Sequence, residues 1–274
     1  MQVPHYKSIH NRFKINGFSL EREEIFQLAF TLIKEGDDFE IEAGIFLMDW
    51  FDDNHYVDTL TSGTTGTPKI IRISKQAMVH SAIATGDFLG LRPGNTALHC
   101  LPCRFIAGKM MLVRAIILGL EMDLVSPKGN PIPNKHKFYD FSAMVPLQVE
   151  HAFLQLHQIK KLIIGGAKVT PSVINQLQNC NTEVYETYGM TETITHIAAK
   201  KIDAPFFHTL PNVTVSVDAR NCLVIDAPNI LEEKIVTNDI VNLISPKSFQ
   251  WLGRFDNVIN SGGVKLFPER IEEK

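Results

Sequence analysis

The sequence has no uncharged hydrophobic stretch long enough to cross a bilayer. Its longest apolar run, 110–125, is broken by Arg114, Glu121 and Asp123, whereas a span needs about 20 predominantly apolar residues. An excess of one charge is also missing. The 27 Lys and Arg against 30 Asp and Glu leave a net charge of −3, which implies no general attraction to nucleic acid or anionic lipid. Cysteine is scarce: four in 274 residues do not make a disulfide scaffold in a chain this long. Cys100 and Cys103 form a single C-x-x-C, while Cys180 and Cys222 stand alone. That pair reads as a redox pair, as half a zinc site, or as buried inert thiols. The preceding Thr96–Leu101 segment has the look of a buried strand and favours the last reading. Met1–Lys7 carries no secretory-leader pattern, so a cytoplasmic enzyme is the default expectation. No internal repeat or low-complexity linker stands out.

What is present is globular. With 45% hydrophobic and 21% charged residues, the chain can bury a substantial core as one large domain or two smaller ones. Ile25, Leu28, Ala29, Leu32 and Ile33 recur at helical spacing between Glu21 and Glu35, with Gly36 after them. Ser74 can cap a helix from Lys75 to Leu89. A helix over Gly108–Leu118 is followed by a strand near Met122–Ser126. Lys161–Ile164 reads as a short buried strand, and Pro171 opens a helix reaching Leu177. Residues 130–137 read as a Pro- and Lys-containing loop. From Val213 the pattern changes to short alternating strands. These signals predict an α/β fold, with β-sheets flanked by helices and a smaller β-rich subdomain.

The segment T-S-G-T-T-G-T-P-K, 61–69, invites comparison with a Walker A loop, and fails it. Gly63 and Gly66 are too close, and a β-branched run rather than a helix follows Lys69. Strand signals at Tyr56–Thr61 and Ile70–Ile73 place the loop at the tip of a hairpin. It can still capture an anion. Gly63 and Gly66 let backbone N–H groups converge. Thr61, Ser62, Thr64, Thr65 and Thr67 add hydroxyls, and Lys69 adds a point charge. The structural alternative is a polar surface turn.

Four later clusters carry chemistry, each with a plainer reading beside it. Gly165-Gly166-Ala167 ends a strand, where α/β folds place ligands; the glycines either admit a flat ring or merely terminate the strand. In Y-E-T-Y-G-M-T-E-T, 185–193, Thr191 can donate to a phosphate and Glu192 can hold Mg²⁺; the plain reading is a polar loop. Asp239 follows a β-branched run and can take a ribose diol or make a turn. Arg254 and Asp256 precede the turn Ser261-Gly262-Gly263, an arrangement also common on surfaces.

The order of these pieces resembles the acyl-adenylate-forming superfamily of acyl-CoA synthetases, luciferases and peptide-synthetase adenylation domains, from about residue 56 to the end. T-S-G-T-T-G-T-P-K and Y-G-M-T-E are among its most specific signatures. L-P-C-R-F-I-A-G-K-M-M-L, Y-G-M-T-E-T-I-T-H-I-A and N-V-I-N-S-G-G-V-K resemble its o-succinylbenzoate–CoA ligase branch, of menaquinone biosynthesis, in a compact form. The resemblance implies that Thr61–Lys69 wraps the β- and γ-phosphates of ATP, with Lys69, Thr191 and Glu192 catalytic. It implies that Gly165, Gly166, Ala167 and Gly189 line the nucleotide site with Tyr188 stacked on adenine. Thr191 then contacts the α-phosphate, Glu192 the Mg²⁺, and Asp239 the ribose with help from Arg254. Asp256 becomes a hinge, and Ser261–Gly263 lie near the path of CoA, the thiol co-substrate. The reaction implied is adenylation of a carboxylic acid followed by acyl transfer to CoA.

Two departures stand against this pattern. The family often has an aromatic and then His where this chain has Arg104 and Phe105. Its members also continue into a C-terminal domain with a catalytic lysine, and neither Lys265 nor Lys274 has that lysine's context. The resemblance therefore implies a large domain, 1–255, and a hinge with the start of a second domain, 256–274, with the stretch after Asp256 poorly ordered. The second carboxylate of succinylbenzoate needs a cation in an apolar pocket, for which Arg104 and Lys109 are candidates; the plainer reading makes both exposed surface charges. Another aryl or acyl acid, and a nucleotide-binding domain without full activity of its own, stay open.

Overall fold

The computed structural model describes residues 3–60, 70–133, 136–178, 180–261, 264–266 and 268. A two-residue hairpin, β1 (Lys14–Ile15) and β2 (Phe18–Ser19), precedes the helical pair α1 (Arg22–Glu35) and α2 (Asp38–Phe51). The expected amphipathic helix is α1. Ile25, Ala29 and Leu32 are its buried stripe, and the Glu24 carboxylate accepts the Glu21 N–H at 2.7 Å to close its first turn. The sequence reading had no counterpart for α2. That helix buries Phe46, Trp50 and Phe51 and carries apolar Ile45 and Met48 on its exposed face as well.

Strands β3 (Tyr56–Leu60) and β4 (Ile70–Ser74) pair antiparallel with Leu60 opposite Ile70. The segment between them therefore joins the two arms of a hairpin, as expected. Lys75, fully buried, anchors the hairpin's base: its Nζ lies 2.6 Å from Asp52 Oδ1 and 5.4 Å from the centre of the Tyr6 ring. Helix α3 (Lys75–Leu89) starts where Ser74 Oγ accepts the Ala77 N–H and ends at Gly90, φ +64°.

The next elements are β5 (Thr96–His99), α4 (Ile106–Leu118), β6 (Glu121–Leu124), β7 (Tyr139–Met144), α5 (Pro146–Ala152), β8 (Ile159–Ile164), α6 (Pro171–Leu177) and β9 (Glu183–Gly189). Antiparallel strands then follow: β10 (His196–Lys201), β11 (Phe207–Thr209), β12 (Thr214–Val217), β13 (Cys222–Asp226), β14 (Ile235–Ser245) and β15 (Ser248–Arg254). Beyond the 3₁₀ turn Phe255–Asn257, β16 (Ile259–Ser261) pairs with β17 (Val264–Leu266). These strands fall in the stretch after Asp256 for which the sequence suggests poor order; residues 262–263, 267 and 269–274 of it lie outside the described residues.

Thirteen strands make one sheet in the order β12-β13-β14-β15-β11-β10-β9-β8-β7-β5-β6-β1-β2. β9, β8, β7, β5 and β6 are mutually parallel, and from β10 onward the pairing is antiparallel. The β-rich part is thus continuous with the α/β part through β9 and β10, and it begins at His196 rather than at Val213. The apolar core follows the same division. One cluster joins α1–α4 to the sheet, a second lies about β7, β8, α5 and α6, and a third fills the antiparallel part around Phe207, Leu223 and Phe249.

The contact between α1 and α2 depends on Gly44. A Cβ there would lie 2.7 Å from the Ala29 carbonyl oxygen and 2.9 Å from Ile33 Cγ1. Alanine is better in a helix than glycine by about 1 kcal/mol, but forcing an atom against backbone costs about 1–3 kcal/mol. Gly44→Ala should therefore lower the urea midpoint despite its gain in propensity. A raised midpoint would mean that the two helices can separate freely.

Candidate functional site

The parallel strands end together. His99, Leu124, Met144, Ile164 and Gly189 close β5, β6, β7, β8 and β9 at one edge of the sheet, the edge where open α/β sheets bind ligands. Gly165-Gly166-Ala167 and the turn after Gly189 therefore meet there. Gly165 has an internal reason to be glycine: a Cβ would lie 2.5 Å from Thr187 Oγ1, the hydroxyl that donates to the Ile164 carbonyl. Gly166 has φ +82°, and both it and Ala167 are exposed.

Gly189 is required by its neighbour strand. A Cβ there would sit 2.4 Å from the Thr195 carbonyl oxygen and 2.5 Å from His196 Cα. Thr191–Thr193 forms a 3₁₀ turn, and Ile194, at φ +68°, reverses the chain into β10. A β-branched residue in that region is strained, and its buried side chain helps hold it there. Thr191 is half-buried. Glu192 is exposed.

Tyr188, Asp239 and Arg254 come together from β9, β14 and β15. The Tyr188 hydroxyl donates to Asp239 Oδ2 at 2.6 Å, and Trp251 Nε1 donates to Oδ1 at 3.3 Å. Arg254 Nη1 lies 3.7 Å from the same Oδ1, directly across the strand pair. Asp239 is 6% exposed. The Tyr188 ring packs at 5.2 Å from Phe249 and 5.9 Å from Phe207. Burial, and then the Asp239 charge, push its phenol far up, so it stays a donor. Trp251 had no signal in the sequence beyond lying three residues before Arg254. Asp256 sits in the turn after β15, within 3.3 Å of Asn238 Nδ2. Thr61–Thr67 and Lys69 lie outside the described residues, as do Gly262 and Gly263.

The two candidate substrate cations separate. Arg104 is exposed and held by Glu42, Nη1 to Oε1 at 3.2 Å. It lines an open cleft of about 490 Å³ with Asp37, Asp38 and Glu42. Lys109 is buried, contrary to the surface reading, with Nζ 5.2 Å from the centre of the Phe46 ring. Burial lowers its pKa.

The cation that sequence reasoning missed is Arg114, on α4. It is 2% exposed, and burial brings its pKa down to about 9. Its Nη2 donates to Thr195 Oγ1 at 3.3 Å, two residues past the 3₁₀ turn. Among the described residues no carboxylate pairs with it and its Nε has no partner. The signal was present, since Arg114 interrupts the apolar run M-M-L-V-R-A-I-I-L. His196, next to Thr195, is also buried, and its pKa falls well below 6.5 through burial and the nearby Arg114 charge. Among the described residues no three His, Cys, Asp or Glu side chains cluster as metal ligands, and no helix is long and apolar enough to cross a membrane. All four cysteines are free. Cys100 and Cys103 are buried, with thiols pushed up to about 12, consistent with inert thiols.

Residues 52–229 match the model of the AMP-binding enzyme family. The 2-succinylbenzoate–CoA ligase of Staphylococcus epidermidis is 26% identical over 245 residues, covering 77% of this chain and 52% of the relative. The chain thus spans about half the length of the curated relatives it matches. Among solved structures, an acyl-CoA synthetase (AMP-forming)/AMP-acid ligase II-like protein of Dyadobacter fermentans superimposes with a TM-score of 0.78 and 36% identity, over 90% of this chain and 73% of that one. The o-succinylbenzoate coenzyme A synthetase of Bacillus subtilis, in complex with ATP and magnesium ion, gives a TM-score of 0.67 at 16% identity over 92% of this chain and 66% of that one. This last match bears on the fold alone.

Buried neutral histidines make stability pH-dependent. His99, fully buried at the end of β5, has its pKa lowered to about 3 by burial. The unfolded chain binds a proton near pH 6.5 that the folded chain refuses, so stability falls as pH drops from 6.5 towards 3. Between pH 7 and pH 5 this histidine alone should cost about 2 kcal/mol. Urea unfolding of the unaltered chain and of His99→Gln should show the variant losing less stability between the two pH values by that amount, the share of His196 being common to both. An unchanged slope in the variant would show His99 to be protonated in the folded protein.

Proposed function

We propose that this chain, which belongs to the AMP-binding enzyme family, holds the nucleotide and the acid in an ATP-dependent acid–thiol ligase. The acid is an aryl dicarboxylate of the o-succinylbenzoate kind, and the thiol is CoA. The observation that carries the choice of acid is Arg114, a buried guanidinium without a counter-anion among the described residues, beside the 190–195 turn. A buried cation is costly unless an anion meets it. A monocarboxylic acid spends its only carboxylate in the reaction, whereas a dicarboxylic acid brings a second.

In the first half-reaction an acid carboxylate oxygen attacks the α-phosphorus of ATP and pyrophosphate leaves. In the second the CoA thiol, having given its proton to solvent, attacks the acyl carbon and AMP leaves. Thr61–Thr67 and Lys69 take the β- and γ-phosphates. Gly165, Gly166, Ala167 and Gly189 border the adenine, with Tyr188 beside it. Asp239 accepts from the ribose. A carboxylate offers about four lone-pair positions, and Tyr188, Trp251 and Arg254 occupy three at most. Thr191 donates to the α-phosphate. Glu192, exposed and with no described partner, suits Mg²⁺, which takes one or two carboxylates and completes its shell with phosphate and water. When bound, the ion neutralises phosphate charge. We assign 1–255 to the large domain and 256–274 to a hinge at Asp256 and the start of the next.

A panel of mono- and dicarboxylic aryl acids, followed by mass spectrometry for acyl-AMP and acyl-CoA, tests the reaction. ATP binding without turnover of any acid would leave a nucleotide-binding domain. Turnover of monocarboxylates alone would point to a different ligase. Arg114→Met tests the anchor. A charge-assisted hydrogen bond contributes about 1.5–3 kcal/mol, so KM for the dicarboxylate should rise tenfold or more relative to a monocarboxylate. Replacing an unpaired buried cation with an apolar side chain should meanwhile leave Tm unchanged or raised. Equal KM changes for both acids would remove Arg114 from substrate binding.

A further inference from the structure

Arg114 is the start of a hydrogen-bonded chain whose direction can be deduced atom by atom. Arg114 Nη2 donates to Thr195 Oγ1 at 3.3 Å. Thr195 Oγ1 lies 3.2 Å from His196 Nδ1, and His196 Nε2 lies 3.4 Å from Thr85 Oγ1. Thr85 Oγ1 donates to the Ser81 carbonyl at 3.0 Å, one turn back in α3. A hydroxyl has one proton. The Thr85 proton is spent on Ser81, so Thr85 can only accept from the histidine, and Nε2 must carry hydrogen. In a neutral imidazole Nδ1 is then bare and accepts the Thr195 proton. The lone pairs of Thr195 are thereby left to face Arg114.

The reverse direction fails on its own count. A hydrogen on Nδ1 would make Thr195 accept from both His196 and Arg114, leaving its own proton without an acceptor among the described residues. Thr85 would also have to abandon Ser81. Each orphaned buried group costs about 1–3 kcal/mol.

We infer that His196 is a positioning residue: acting through Thr195, and anchored by Thr85, it fixes the Arg114 guanidinium and so sets the preference for acids that carry a second negative charge. The inference rests on the reading of Arg114 as the carboxylate anchor. The backbone is built for the arrangement. Gly189 lets His196 Cα come close, and Ile194 at φ +68° turns the chain just before Thr195. The β9–β10 register shifts between His196 and Ala198, which sets His196 apart from the regular ladder. Burial and the adjacent guanidinium keep the imidazole neutral.

Two amide replacements separate the roles of the two nitrogens. His196→Asn places a carbonyl oxygen near the position of Nδ1, keeping the acceptor for Thr195. His196→Gln reaches Thr85 but withdraws that acceptor. The readout is the ratio of KM for a dicarboxylic aryl acid to KM for its monocarboxylic analogue. The ratio should rise about fivefold or more in His196→Gln and Thr195→Val, and stay within about twofold of native in His196→Asn. In the unaltered chain, ¹⁵N NMR of labelled histidine should give His196 as the neutral Nε2–H tautomer at pH 7 and at pH 5. An Nδ1–H tautomer, an imidazolium, or equal ratios for Asn and Gln would overturn the inference. If Arg114→Met changes the ratio but neither His196→Gln nor Thr195→Val does, only the positioning role falls. If Arg114→Met leaves the ratio unchanged, the anchor and the positioning role fall together.

Discussion

The close approach of two backbones at Gly189 is the constraint on which the rest of the site depends. There the parallel sheet gives way to the antiparallel one, and the chain must leave β9 and return as β10 in six residues. A side chain at 189 would strike the Thr195 carbonyl and His196 Cα, both backbone atoms and unable to rotate away. With the Cβ absent, Thr191 and Glu192 ride on a tight turn where the parallel strands end, and Thr195 and His196 follow it into β10. The strain at Ile194 belongs to the same geometry. A β-branched residue holds φ +68° only because its buried side chain and the adjoining strands leave no easier path.

The buried charges differ in how they are balanced, and the difference separates architecture from chemistry. Lys75 is fully buried but meets Asp52, an ion pair that joins the end of α2 to the base of the β3–β4 hairpin. Arg104 answers Glu42 at the surface. Asp239 has three donors around it. Arg114 has a hydroxyl and no carboxylate among the described residues, with Nε unpartnered. On the reading proposed above, an internal cation left in that condition takes the second carboxylate of the acid, whereas Lys75 and Arg104 hold elements together.

Much of the fold was legible in the sequence because local signals agreed with the final packing. Helices α1, α3, α4 and α6 stand within a few residues of their expected places. Their apolar spacing, the Ser74 cap and Pro171 act within a turn or two of chain. The hairpin flanking 61–69 followed from β-branched runs on both sides. Helix α2 escaped because apolar Ile45 and Met48 stand on its exposed face and blur the buried stripe of Ala43, Phe46, Leu47 and Trp50. The β-rich part looked like a separate module because its strand pattern changes at Val213, although β10 and β11 already tie it to the parallel strands.

Sequence alone determined the order of the chemical pieces: the glycine- and hydroxyl-rich segment, G-G-A, Y-G-M-T-E, Asp239 and Arg254. Those are local choices of residue type, and they carry the family membership. Only the tertiary structure decided what surrounds each of three neighbouring cations. Arg104, Lys109 and Arg114 lie within eleven consecutive positions and look equivalent in one dimension. The turn before α4 leaves Arg104 to Glu42 and solvent, and the helix itself directs Lys109 to Phe46 and Arg114 inward to Thr195. Whether a charge is paired, screened or stranded depends on groups brought up from distant parts of the chain, and that information exists only once the sheet and helices have packed.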